Sequence, residues 1–235
     1  MKLGIIGAMK VEVESLRDSM ESLCVTEKAS MTFYQGMLEN LPAVVVECGV
    51  GKVNAAMCVQ VLCDCFDVTH IINTGVAGSL CADLDIGDLV ISKDAMYHDF
   101  DCSVLNPAYP VGQVPGLPVR KFAADPQMVQ VAFDSAQQVH KDHVHIGTVA
   151  SGDQFVSQKA LKEKIIADTG GLCTEMEGAA IAHAAWRNGK PFVVIRAISD
   201  KADDSAQMDY PTFEAAAAKH CAAVTKAVAK NFASK

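Results

Sequence analysis

Short apolar runs of strand length recur along the chain at residues 2–6, 31–38, 43–48, 69–73, 88–92, 144–150 and 192–198, several of them rich in β-branched residues. Between them, segments near 9–20, 52–65, 126–139, 159–167 and 176–186 read as helices, and an alanine-rich helix is predicted over about 212–232. This alternation predicts an α/β fold: a mixed, mostly parallel, twisted sheet with helices on both faces, a three-layer sandwich. A chain of 235 residues, half of them apolar, can bury one substantial core, so a single domain over 1–235 is expected. From about Ala95 to Val119 the pattern breaks down. Pro107, Pro110, Pro115 and Pro118 interrupt it, and scattered apolar residues (Val104, Leu105, Tyr109, Val114) suggest an interface segment.

A few positions violate the apolar logic. Arg196 sits inside the strand 192–198, Glu175 and Glu177 flank Met176 at a strand-to-helix turn, and Asp200 follows the strand's carboxyl end. Taken singly, each fits a structural ion pair or a carboxylate complementing a helix dipole. Gathered at strand ends, where open α/β sheets place their ligands, they read as a site. Glu12, in the first turns of the first helix, fits a solvated carboxylate as well as it fits this site. The glycines of Thr74-Gly75-Val76-Ala77-Gly78 could make a tight turn or let a ligand approach the backbone. Phe155, in the loop 151–156, could be core or could stack on a flat heterocycle.

Charge and cysteine usage narrow the function. A net charge of −8 without any basic run argues against nucleic acid. No apolar stretch reaches the roughly 20 residues of a membrane span. A strand beginning at Lys2 leaves no room for a signal peptide, and nine cysteines without a Cys-x-x-Cys pair fit free thiols, so a cytoplasmic location is expected. Gly49-Val50-Gly51-Lys52-Val53 lacks the Ser or Thr of a nucleotide-binding phosphate loop, and His140, His143, His145 and His220 show no metal-ligand spacing.

Read in order, Gly-Ile-Ile-Gly-Ala-Met at 4–9 with Glu12, Gly-x-Gly-Lys-Val at 49–53 and Asn-Thr-Gly-x-Ala-Gly at 73–78 resemble the 5′-methylthioadenosine/S-adenosylhomocysteine nucleosidase family. So do Ser-Gly-Asp-x-Phe at 151–155, Glu-Met-Glu at 175–177 and Arg-Ala-Ile-Ser-Asp at 196–200. The resemblance implies a nucleoside phosphorylase-like fold, no metal or organic cofactor, an adenine nucleoside as substrate, and a place in methionine salvage. It carries over Asp200 as the acid at adenine N7 and Glu12 as the base activating water. Phe155 would stack on adenine, main-chain groups of Val156 would read its edge, and Glu177 would accept the ribose hydroxyls. Met9, Val50 and Met176 would pack the ribose and its 5′ group, Arg196 would order water and carboxylates, and Ala8, Val76, Glu175 and Ser199 would also bind substrate.

The same resemblance implies a homodimer in which an aromatic of the 99–116 loop, Tyr109, reaches the partner's pocket. The chain departs from the family pattern in two places. Val76 stands where many members carry serine, and the 99–116 loop is about two residues longer. Asn73 and Val76 occupy the positions where hexameric phosphorylases hold phosphate, which favours water as the acceptor. The competing expectations are a nucleosidase for 5′-deoxyadenosine or aminofutalosine-type nucleosides, a purine nucleoside phosphorylase, and a silent nucleoside-binding protein lacking a catalytic carboxylate.

Overall fold

The computed structural model describes residues 1–106, 108–141 and 143–234; Pro107 of the proline-interrupted segment lies outside them. Ten strands join in one sheet: β1 (Leu3–Gly7), β2 (Glu21–Lys28), β3 (Met31–Leu38), β4 (Leu41–Glu47), β5 (His70–Ser79), β6 (Leu89–Tyr97), β7 (Phe122–Ala123), β8 (Val144–Ser151), β9 (Cys173–Glu175) and β10 (Phe192–Asp200). Six helices connect them: α1 (Lys10–Asp18), α2 (Lys52–Phe66), α3 (Pro126–Val139), α4 (Lys159–Thr169), α5 (Gly178–Arg187) and α6 (Ala206–Ala233). The strand order is β10-β6-β8-β9-β5-β1-β4-β3-β2. A further pairing of β10 with β5 brings five strands into a closed ring.

The sheet is mixed, as expected, but parallel pairing belongs to its middle rather than to its whole width. β4, β1, β5 and β10 run parallel in succession, as do β6, β8 and β9. Antiparallel pairs add β3, β2 and β7 and close the ring at β10–β6 and β5–β9. Two apolar layers flank it. On one side α1, α3 and α6 cover Leu3, Ile5, Ile72, Val193 and Ile195; on the other α2 and α5 cover Ile6, Val44, Val46, Ile71 and Val194. Ile5 and Ile6 therefore point to opposite layers, as the period of two requires. Both strand faces are buried, which is why the central runs are continuously apolar.

Several element bounds differ from the sequence reading, each for a physical reason. β2 is exposed along its whole length and carries Glu21, Glu27 and Lys28, so no apolar alternation announces it; charge on such an edge discourages further pairing. The glycines at 75 and 78 do not form a turn. They lie within β5, where their missing side chains make room for neighbours. β6 continues through Ala95–Tyr97, β10 runs on to include Asp200, and three-residue β9 ends at Glu175, where a strand-to-helix turn is expected from sequence. Helix α5 starts at Gly178, two residues later than expected. α6 begins at Ala206, ahead of Pro211, which reads as a helix boundary. The proline is tolerated because the carbonyl that it deprives of a donor, four residues back at Gln207, lies on an exposed residue.

Candidate active site

The carboxyl ends of β1, β5, β8 and β10, the end of β9 and the first turns of α1 and α6 meet around a cleft. Of the residues expected from sequence, Ala8, Met9, Glu12, Val50, Val76, Phe155, Val156, Glu175, Met176, Glu177, Ser199 and Asp200 all line it. Arg196 lies behind the lining and Tyr109 lies outside it. Ala77, Gly78 and Gln154, from the glycine stretch 75–78 and the loop 151–156 that the sequence reading brings to the strand ends, also line it, and Thr174 and Tyr210 complete the wall without having been anticipated. Tyr210 follows Asp200 by ten residues in a predicted loop, and only the early start of α6 turns it toward the cleft.

Glu12 is held by main-chain donors alone. Its Oε2 accepts from Ala8 N–H at 2.7 Å and Met9 N–H at 3.0 Å, and its Oε1 accepts from Val76 N–H at 3.0 Å. The backbone of Val76 supplies this contact, so the valine side chain does not weaken it. Gly75 is required beside it: a β-carbon there would overlap Glu12 Oε1 and Arg196 Nη1. Burial raises the pKa of Glu12, with Arg196 and the three amides pulling the other way.

Beneath the cleft, Arg196 is 1 % exposed and surrounded by acceptors. Its Nη2 donates to Glu175 and to Asn73 Oδ1 and lies 3.7 Å from Glu177 Oε2; its Nη1 is 4.0 Å from Glu12 Oε1. Burial lowers the guanidinium's pKa, but Glu175, Glu177 and Glu12 outweigh it and raise the net value, so the cation is permanent. Glu175 has both oxygens engaged: Ser151 Oγ–H, Arg196 and the amides of Glu177 and Gly178 all donate to it. It thereby fastens the floor to the start of α5 and leaves Glu177 as the less occupied carboxylate. Glu177 Oε1 accepts from Gly51 N–H at 2.8 Å, an approach that Gly51 makes at φ +99°, where only glycine is unstrained. Burial and then the neighbouring Glu175 raise the pKa of Glu177.

Asp200 closes the other end. Ala202 N–H donates to its Oδ1 at 2.8 Å and Ser199 Oγ–H to its Oδ2 at 2.9 Å. Burial raises its pKa against both donors. Glu12 touches β5 at Val76, and Asp200 abuts β5 at Gly78, where a β-carbon would come within 2.7 Å of Oδ1. Two residues along a strand separate these points by roughly 7 Å. The rim is apolar and half-open. Phe155 and Val50 are each 48 % exposed, and Phe155 stands nearly perpendicular to Tyr210 with ring centroids 5.3 Å apart. Val156 is buried, yet among the described residues its main-chain N–H and carbonyl engage no other group of the chain.

The chain matches the phosphorylase superfamily over residues 2–230. It is 42 % identical over 223 residues to a 5′-methylthioadenosine/S-adenosylhomocysteine nucleosidase of Geobacillus thermodenitrificans (strain NG80-2), covering 94 % of this chain and 93 % of the relative. Its fold superposes with a TM-score of 0.94 on the nucleosidase of Neisseria meningitidis solved in complex with methylthio-immucillin-A, at 35 % identity and covering 98 % of this chain and 99 % of the other. The native futalosine hydrolase of Helicobacter pylori strain 26695 is also similar, with a TM-score of 0.92 and 30 % identity over 98 % of each chain. The chain belongs to the 5′-methylthioadenosine/S-adenosylhomocysteine nucleosidase family of the phosphorylase superfamily.

Proposed function

We propose that this protein hydrolyses the N-glycosidic bond of 5′-methylthioadenosine and S-adenosylhomocysteine, releasing adenine and the 5′-thioribose. The observation that carries this reading is the pair of buried carboxyls, Glu12 and Asp200, at separate positions along β5 in one cleft, both with raised pKa values. Their contact points on β5 are two residues apart, so the two carboxyls reach the cleft from different positions along its wall. Asp200, whose pKa burial raises, donates its proton to adenine N7 as the bond to the ribose breaks, so that adenine leaves neutral. The ribose then carries oxocarbenium character. Glu12 takes a proton from the attacking water, with Arg196 holding the neighbouring carboxylates in place. Glu177 binds the ribose hydroxyls through its less occupied oxygen and places negative charge near the developing cation.

The half-exposed ring of Phe155 stacks on adenine, and the unengaged main chain of Val156 reads its edge. Met9, Val50 and Met176 pack the 5′ substituent, where flexible methionines accept groups of different length. Water is favoured over phosphate because the cleft lining carries four carboxylates, Glu12, Glu175, Glu177 and Asp200, and no Lys or Arg among the described residues. Asn73 is fully buried and committed to Ile6 O and Arg196.

The assembly we propose is a homodimer. Val104 and Leu105, 96 % and 83 % exposed, stand with Tyr109 on the 99–116 segment, which would complete a neighbouring site. The location we propose is cytoplasmic. Among the described residues no helix is long and apolar enough to cross a membrane. A second reading, cleavage of a futalosine-type or 5′-deoxy nucleoside, is supported by the Helicobacter likeness and by the open apolar rim, which sets no hard limit on the 5′ group.

Product analysis decides among these readings. With 5′-methylthioadenosine, free adenine and methylthioribose should form at equal rates with and without phosphate. Product formed only with phosphate, as the sugar 1-phosphate, would make the protein a phosphorylase and unseat Glu12 as base. Turnover of an aminofutalosine-type nucleoside in preference to the thio-nucleosides would establish the second reading.

A further inference from the structure

Three charged residues lie just outside the cleft lining and belong to three separate segments. Lys52 opens α2, Asp99 follows the end of β6, and Asp153 lies in the loop after β8. Lys52 Nζ is 2.7 Å from both oxygens of Asp99 and 3.5 Å from Asp153 Oδ2, and it stands 5.4 Å over the Tyr97 ring. Main-chain donors reinforce the triangle. Lys52 N–H donates to Asp153 Oδ1 at 2.9 Å, and Asp153 N–H donates to Asp99 Oδ2 at 2.9 Å. The Lys52 and Asp99 side chains are only 22 % and 16 % exposed, so solvent screens this pair less than an ordinary surface pair.

Two of the three corners, Lys52 and Asp153, adjoin residues that face the cleft. Gly51, next to Lys52, donates to Glu177, and Val50 before it lines the rim. Gln154 and Phe155, directly after Asp153, line the opposite part of the rim. The α2 side therefore belongs to the ribose and the 152–156 side to the base, if the nucleoside reading above holds.

We propose that Lys52, Asp99 and Asp153 are positioning residues: a clasp that sets the spacing between the ribose-side turn at 49–51 and the base-side loop at 152–156. Its consequence is specific. A ligand that touches only one side needs no fixed spacing, whereas a whole nucleoside must be gripped by Glu177 and Phe155 at once. Small displacements of such gripping groups cost rate steeply, up to about a hundredfold for about 1 Å. A merely stabilising ion-pair cluster would lower the thermal midpoint and affect both kinds of ligand alike.

The test uses the full chain with K52M, K52R and D99N. We expect K52M to lower kcat/KM for 5′-methylthioadenosine by about tenfold to a hundredfold. Adenine affinity, measured by calorimetry, should stay within about twofold of wild type, because adenine meets the base-side loop alone. K52R should recover most of the loss, and D99N should resemble K52M. The proposal is overturned if folded K52M stays within about twofold of wild-type kcat/KM. It is also overturned if adenine and nucleoside weaken equally, or if the lost activity merely tracks the unfolded fraction at the assay temperature. Wild-type protein with no turnover of any adenine nucleoside would overturn the nucleosidase reading together with the clasp, whereas an active wild type beside an unaffected K52M would overturn the clasp alone.

Discussion

The floor and the rim of the cleft are built on opposite terms. At the floor, Glu12, Glu175, Glu177 and Arg196 are at most 7 % exposed, and their hydrogen bonds are made with main chain, with one another, or with the buried side chains of Ser151 and Asn73. At the rim, Phe155 and Val50 are half-exposed, Met9 and Tyr210 are half-buried, and the contacts are between apolar or polarisable surfaces. Water is largely excluded from the first region and admitted to the second. Charge at the floor therefore acts at low dielectric, where it can shift pKa values and stabilise a developing cation. The rim can supply only area and shape, which set affinity for the substrate. If that division is real, substitutions at the floor should remove turnover or folding, and substitutions at the rim should move KM.

The largest expected effects are at the two reacting carboxyls. E12Q and D200N should each lower kcat by about 10²–10⁴-fold, the usual contribution of general acid–base groups, while circular dichroism shows an unchanged fold. Near-normal turnover in either variant would break the assignment of that residue. R196M should act on the fold as well as on the rate. Removing the cation leaves Glu175, Glu177 and Glu12 buried without their counter-charge, and breaking such a cluster costs about 3–5 kcal/mol. Chemical denaturation of R196M would measure this. A change below about 1 kcal/mol would mean that the floor is better hydrated than its burial implies.

The pH dependence sharpens the same contrast. On the proposed mechanism turnover requires Glu12 ionised and Asp200 protonated, and both pKa values are raised by burial. Activity should therefore fall as pH drops through the raised value of Glu12 and fall again as pH rises through the raised value of Asp200. Stability carries a matching sign. Because the folded state holds the Asp200 proton more tightly than the unfolded chain, ionising it costs stability as pH rises from the unfolded value through the folded one. D200N should remove the Asp200 share of that slope, leaving the shares of Glu12 and Glu177, and should remove the alkaline limb of activity. An alkaline limb that survives D200N would assign it to another group.

How much of this was legible from sequence differs between the same two regions. The floor was readable because charged residues in apolar strands are conspicuous: Arg196 within 192–198 and Glu175 beside the buried Cys173 and Thr174 violate the local pattern. What the residues alone could not show was how fully each carboxylate is already engaged. Only the geometry shows that Glu175 is fully engaged by Arg196, Ser151 and the start of α5, leaving Glu177 freer. The rim was less legible. Phe155 could have been core, and Tyr210 lay in a segment that Pro211 marked as loop. A strand whose burial does not alternate was missed for a related reason: β2 is exposed throughout. Pattern reports burial, and neither the edge of a sheet nor an oxygen's hydrogen-bond partners follows from burial.

At the rim, effects should be smaller and of another kind. F155A removes a ring expected to stack on adenine, a contact worth about 1–3 kcal/mol, so KM should rise by roughly tenfold or more with kcat nearly kept. A fall in kcat larger than the rise in KM would mean that Phe155 helps align the base for protonation.

The smallest effect should come from Y210F. The hydroxyl of Tyr210 donates to Glu214 Oε1 at 2.9 Å and lies 3.4 Å from Met9 Sδ, while its ring meets Phe155. Burial, with Glu214 beside it, raises the phenol's pKa, so it remains a neutral donor throughout the working range. The substitution keeps the ring and its edge contact and loses one half-buried hydrogen bond, about 0.5–1.5 kcal/mol. Since that bond ties α6 to itself and to Met9 rather than to the reacting groups, kcat should be unchanged and KM should move by no more than about threefold. Steady-state kinetics with 5′-methylthioadenosine and S-adenosylhomocysteine side by side would check this. A selective loss for the longer homocysteinyl substrate would place the Tyr210 hydroxyl in recognition of the 5′ group, and a loss in kcat for both would show that rim and floor are coupled after all.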